Sequence, residues 1–120
     1  MNHKVETMDV GGKRLMCFVF EEGNGVLDAF FNGDVREFHD GIAEQIDRVL
    51  SGKEKEIESF GNECGWLVRP DLCTVVDNYA LDEERNWVAV ETKTLRDLIA
   101  EFAGKDAEFR RAEKPGGGKG

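Results

Sequence analysis

The segment "DNYALDEER", Asp77 to Arg85, places Asp77, Asp82, Glu83 and Glu84 within a few residues of Tyr79 and Trp87. Carboxylates at this density hold hard cations, exchange protons with a substrate or form a negative surface. A calcium loop needs alternating acids, a central glycine and a terminal glutamate, and this spacing has none of that order. Consecutive side chains such as Asp82, Glu83 and Glu84 cannot all turn toward one ion without a tight turn. A general acid and base could be drawn from the same residues, but such a pair works inside a pocket, which these spacings do not define. The remaining use is a negative surface for a positively charged partner, with Tyr79 and Trp87 as anchors, because interface hot spots favour Tyr, Trp and Arg. The expected site is therefore partner-binding, with no catalytic residue, metal or cofactor assigned.

Other chemistries fail on spacing. The terminal "GGGKG" contains Gly-Lys but lacks the GxxxxGK[ST] pattern and the following helix of a phosphate loop. A catalytic nucleophile needs an orienting base, and the chain carries only His3 and His39. His3 is expected in a mobile terminus and His39 near the start of a helix, where the positive end of the dipole disfavours its protonated form. Cys17, Cys64 and Cys73 share no CxxC or metal-ligand spacing, and read as reduced structural thiols.

The 120 residues suit a single domain burying roughly two thirds of its unfolded surface. Hydrophobic residues at 40% and charged residues at 34% describe a chain that folds, with more charge than usual. A formal net charge of -9 excludes an ordinary nucleic-acid binder, whose phosphate contacts need clustered Lys and Arg, and permits a basic protein partner. No apolar run approaches the roughly 20 residues that span a bilayer, so no membrane partner and a cytoplasmic location are expected.

The elements follow from periodicity. "KRLMCFVFEE", closed by Gly23 to Gly25, and "VLDAFF" read as a hairpin, the first strand being apolar on both faces and hence central. Asn32-Gly33 reads as a tight turn. Phe38, Ile42, Ile46, Val49 and Leu50 recur at helical spacing, leaving Asp40, Glu44 and Asp47 toward water, with Gly52 as terminator. "EIESF", "ECGWLVR", "LCTVVDNY" and "NWVAVET" read as antiparallel strands, with turns at Gly61-Asn62 and Pro70-Asp71. Thr94 with Asp97 opens a last helix through Leu95, Leu98, Ile99 and Phe102, with Gly104 as its expected end and "KDAEFRRAEK" able to add a frayed turn or two. The expectation is an α+β domain over residues 1–112, an antiparallel sheet of five or six strands with two helices in the order ββ-α-ββββ-α, and a disordered Gly-rich tail at 113–120.

Glu21, Glu22, Asp28, Asp34, Glu37, Asp40, Glu44 and Asp47 face only Arg36 and Arg48 in opposition. Joined to the Asp77–Arg85 segment, they would form one negative field that speeds encounter with a cationic partner. From "FFNGDV" through "LSGKEKEIESFGNECGWLVR" and "LCTVVDNYALDEE" to "ETKTLRDLIAEF", the chain resembles small acidic bacterial proteins of the YacL-like kind. It is similar as well to immunity proteins of contact-dependent growth inhibition and other polymorphic toxin systems. That resemblance implies an α+β domain that binds a cognate toxin, often a basic nuclease, and covers its active site. The expected function is that of a non-enzymatic immunity protein, using Asp77, Tyr79, Asp82, Glu83, Glu84 and Trp87 first, and Asp40, Glu44 and Asp47 second. The alternative is a small acidic housekeeping binding domain whose carboxylates serve solubility.

Overall fold

The computed structural model describes residues 2–21, 25–80 and 86–113. The chain is α+β, with a two-stranded and a four-stranded antiparallel sheet and helices feeding one core with both. The expected order ββ-α-ββββ-α holds, but its first ββ unit differs in position. Strands β1 (His3–Val10) and β2 (Lys13–Phe20) form the hairpin. Gly11 and Gly12, both at positive φ, make the two-residue turn. The expected turn residues Gly23 and Asn24 lie outside the described residues.

The segment expected as a second strand is helical. Helix α1 (Val26–Ala29) runs through a π-helical turn (Phe30–Val35) into α2 (Arg36–Leu50). Val26 with Phe30, and Leu27 with Phe31, are i,i+4 pairs, so their burial is helical burial despite their β-forming side chains. Asn32-Gly33 therefore makes no turn. Asn32 instead completes the edge of β2: its Oδ1 accepts the Phe18 amide at 2.9 Å and its Nδ2 donates to the Phe18 carbonyl at 2.8 Å. Asp28 accepts the Phe20 amide at 2.8 Å. Side chains thus take the place of the strand expected beside β2, which is paired with a strand only through β1.

Helix α2 buries Ile42, Ile46 and Val49, while Phe38 and Leu50, both expected in the stripe, are exposed. Phe38 departs from helical dihedrals (φ -128°, ψ 23°), which turns its side chain off the stripe. Gly52 ends the helix at φ 85°, with its amide on the Val49 carbonyl and the Lys53 amide on the Arg48 carbonyl, a Schellman cap.

Strands β3 (Ile57–Phe60), β4 (Cys64–Val68), β5 (Leu72–Asp77) and β6 (Trp87–Glu91) form a meander in chain order, as their spacing predicts. Helix α3 (Thr92–Glu113) begins two residues before Thr94 and passes through Gly104 without ending. Burial of Asp106 and packing of Phe109 hold the turns beyond the glycine, outweighing its weak helix propensity. Of the expected tail 113–120, Glu113 is the last residue of α3 and 114–120 lie outside the described residues. None of the described helices is long and apolar enough to cross a membrane.

Two buried carboxylates join these elements. Asp34, fully buried, accepts the amides of Asn62 (2.6 Å), Glu63 (3.2 Å) and Cys64 (2.7 Å), tying the π-helical turn to the β3–β4 corner. Asp106 pairs with Arg36 Nη1 at 3.1 Å and with Arg110 Nε at 3.0 Å. Arg36 also donates to the carbonyls of Met16 (2.6 Å) and Asn32 (3.0 Å) and lies over the Phe102 ring. Burial lowers the Arg36 pKa, opposed by Asp106, yet a guanidinium remains charged.

Candidate partner-binding site

Asp77 closes β5, with its amide on the Asn86 carbonyl at 2.8 Å. Its Oδ1 accepts the Tyr79 amide at 3.0 Å, an Asx turn that leaves the Tyr79 side chain 74% exposed. Trp87 opens β6 at 53% exposure. The two expected anchors therefore both face water, at the two ends of the acidic connection. Asp82, Glu83 and Glu84 lie outside the described residues. Trp66 is core: it is buried, packs tilted against Phe30 with ring centroids 5.4 Å apart and donates from Nε1 to Gln45 Oε1 at 2.8 Å.

Strand alternation divides the four-stranded sheet. Trp66, Val68, Cys73, Val75 and Val90 point into the core. The opposite face carries one row straight across the sheet, Phe60 opposite Gly65, Gly65 opposite Val76, and Val76 opposite Trp87. Phe60, 69% exposed, lies over Gly65 so closely that a Cβ there would stand 2.8 Å from its Cδ1. This glycine makes room for an aromatic ring on the sheet surface. Beside the ring is a shallow hollow of about 300 Å³ bordered by Leu67, Thr74 and Val76. Glu58 on β3 and Glu91 on β6 share this face by alternation and are exposed. Among the described residues neither forms an ion pair.

The acids expected on the second surface are in part already engaged. Asp47 takes a two-pronged contact from Arg96 of α3, at 2.8 and 3.1 Å, and this hydrogen bonding lowers its carboxyl pKa. Asp40 lies 2.9 Å from His39 Nδ1, and Glu44 is exposed. The continuous negative field expected from Glu21 to Asp47 is corrected by burial. Asp34 is sealed inside the fold and Asp28 caps β2, so neither contributes an exposed carboxylate.

The residues considered for nucleophilic chemistry are placed structurally. His3, expected in a mobile terminus, stacks on Phe18 with ring centroids 4.3 Å apart and contacts Glu101 at 2.9 Å. All three cysteines are free and buried. Burial, with Asp34, Asp77 and Glu63 nearby, pushes the Cys64 thiol up to about 12. A thiol held protonated is a poor nucleophile. Among the described residues no cluster of His, Cys, Asp and Glu is positioned to hold a metal ion, and no buried side-chain nitrogen or oxygen lacks a partner.

No family model matches the chain, and no solved structure does. A protein of Bacillus cereus named "Immunity protein" is 38% identical over 88 residues, covering 73% of this chain and 75% of that protein. The chain belongs to this immunity-protein family. Phe60, Tyr79 and Trp87 are the large aromatic side chains most exposed on this chain, and aromatic residues of this kind suit surface contact. The sequence singles out Tyr79 and Trp87 and gives no attention to Phe60, Glu58 and Glu91, which the fold brings onto the same face as Trp87. Their signal was the alternation in "EIESF": the Gly61-Asn62 corner sets Phe60 opposite Gly65, on the face that Trp87 shares.

Proposed function

We propose that this immunity protein is a non-catalytic inhibitor that binds and neutralises a cognate toxin, a basic nuclease of the polymorphic-toxin kind, through an acidic surface at the β5–β6 end of the sheet. The exposure of Tyr79 and Trp87, bracketing an acidic connection in a chain of net charge -9, carries this reading. Asp77 shapes the turn that presents Tyr79. Asp82, Glu83 and Glu84 supply negative potential for encounter. Exposed charge pairs are each worth about 0.2–1 kcal/mol, whereas nanomolar affinity needs about -12 kcal/mol. Desolvated aromatic contacts must supply much of the difference.

The Asp40, Glu44 and Asp47 surface ranks second, because Arg96 already partners Asp47. The test is co-purification of the tagged chain with the full-length product of the gene immediately upstream, followed by a nuclease assay. A stable complex in which the nuclease is silent supports the proposal. The absence of a complex returns the carboxylates to solubility.

A further inference from the structure

The row Phe60–Gly65–Val76–Trp87 spans the whole sheet, with Trp87 at one end of it and Phe60 at the other. We propose that the outer face of the four-stranded sheet, centred on Phe60, is the apolar core of the toxin interface. Its occupant is a toxin surface with an apolar centre flanked by Lys or Arg side chains. This rests on the immunity reading above and specifies the chemistry of the partner.

Three observations support this surface. First, the face is apolar where a solvated sheet face is ordinarily polar: Phe60, Leu72, Ala89 and Trp87 are all exposed. Clusters of this kind on folded chains mark interaction sites. Second, the helices bury the inner face, while the two ends of the outer row, Phe60 and Trp87, are exposed and Val76 between them is partly so. Third, the charge is of one sign. Glu58 and Glu91 stand on the two edge strands, both exposed and without a cationic partner among the described residues. An apolar centre with acidic edges complements a partner of opposite polarity at the rim. The same feature disfavours a second copy of this chain, which would bring like carboxylates together on molecules each carrying a net charge of -9.

Phe60 is the residue most suited to be the centre. Its ring lies against Gly65, a contact that restricts its rotamers before binding and lowers the side-chain entropy lost on docking. It also separates two hollows, one of about 300 Å³ over the sheet and one of about 220 Å³ reaching toward Phe38 at the start of α2. A partner seated over this ridge would contact the exposed Phe38 as well.

The experiment measures affinity for the full-length product of the gene immediately upstream, using the wild-type chain, Phe60→Ala and Ala89→Arg, with thermal melts as a folding control. Ala89 is exposed on the same face, so the second variant adds bulk and positive charge without opening the core. Hot-spot loss predicts weakening by about 30-fold or more for Phe60→Ala, and a comparable or larger loss for Ala89→Arg. Wild-type affinity in both folded variants would remove this face from the interface while leaving the immunity reading intact. No binding by the wild-type chain would overturn the immunity reading, and this surface with it. Sedimentation showing a wild-type dimer that Phe60→Ala disperses would assign the face to self-association and overturn the proposal.

Discussion

The carboxyl carbon of Asp34 occupies the space beside Gly61, 2.4 Å from where a Cβ on that glycine would stand. The β3–β4 corner is thus built around a buried carboxylate that accepts three consecutive amides. Asp34→Ala leaves those amides without their acceptor. Since hydrogen bonds to a charged group contribute about 1.5–3 kcal/mol each, a loss of about 3 kcal/mol or more is expected in urea denaturation. Gly61→Ala should destabilise through the clash alone, with Asp34 intact.

Arg36 and Asp106 form a buried pair that ties β2, the π-helical turn and α3 together. Asp106→Ala leaves the buried Arg36 guanidinium without its carboxylate and should cost about 3–5 kcal/mol; Arg36→Ala leaves Asp106 paired with Arg110 but removes the hydrogen bonds to Met16 and Asn32, and should also destabilise. A double-mutant cycle on the same denaturation signal should give a strongly non-additive result.

Asp47 and Arg96 are a contrasting case, because their contact is solvent-exposed. A carboxyl whose pKa is lower folded than unfolded stabilises the fold above its unfolded value and ceases to do so as pH falls through the folded value. The contribution should be present at neutral pH and fade below about pH 4. Asp47→Asn is expected to cost no more than about 1 kcal/mol at pH 7. The gap from wild type should close in denaturation experiments at low pH.

Burial raises the pKa of Cys17, Cys64 and Cys73 alike, Cys64 to about 12. Native protein at pH 8 should therefore react slowly with an aromatic disulfide reagent and release its three thiols only on unfolding. Fast modification of Cys64 in the native state would contradict the packing around Asp34.

The four-stranded meander and α2 were legible because their apolar periods are unambiguous and their turns carry Gly, Asn, Pro and Asp. The first third of the chain was not. Val26, Phe30 and Phe31 are β-formers by type but sit with Leu27 at helical spacing, and tertiary burial decided for the helix. Strand β1 is exposed along nearly its whole length, so "HKVETMDV" shows no buried face to read. Its signal was the Gly11-Gly12 turn. Sequence drew attention to charge, whereas part of that charge holds the fold together: Asp34 is buried, Asp28 accepts the Phe20 amide, and Asp47 is paired with Arg96. Phe60 escaped notice because its exposure depends on which face of the sheet the helices cover, a property of topology.

Contact between the exposed aromatic face and the toxin can be read directly at Trp87. The chain has two tryptophans, one buried and one exposed, so labelling with 5-fluorotryptophan gives one fluorine NMR line from each, assigned with Trp87→Phe. On addition of the unlabelled full-length product of the upstream gene, the Trp87 line should shift and lose its solvent isotope effect, while the Trp66 line keeps its position. A complex that forms with the Trp87 line unmoved and still solvated would contradict the account.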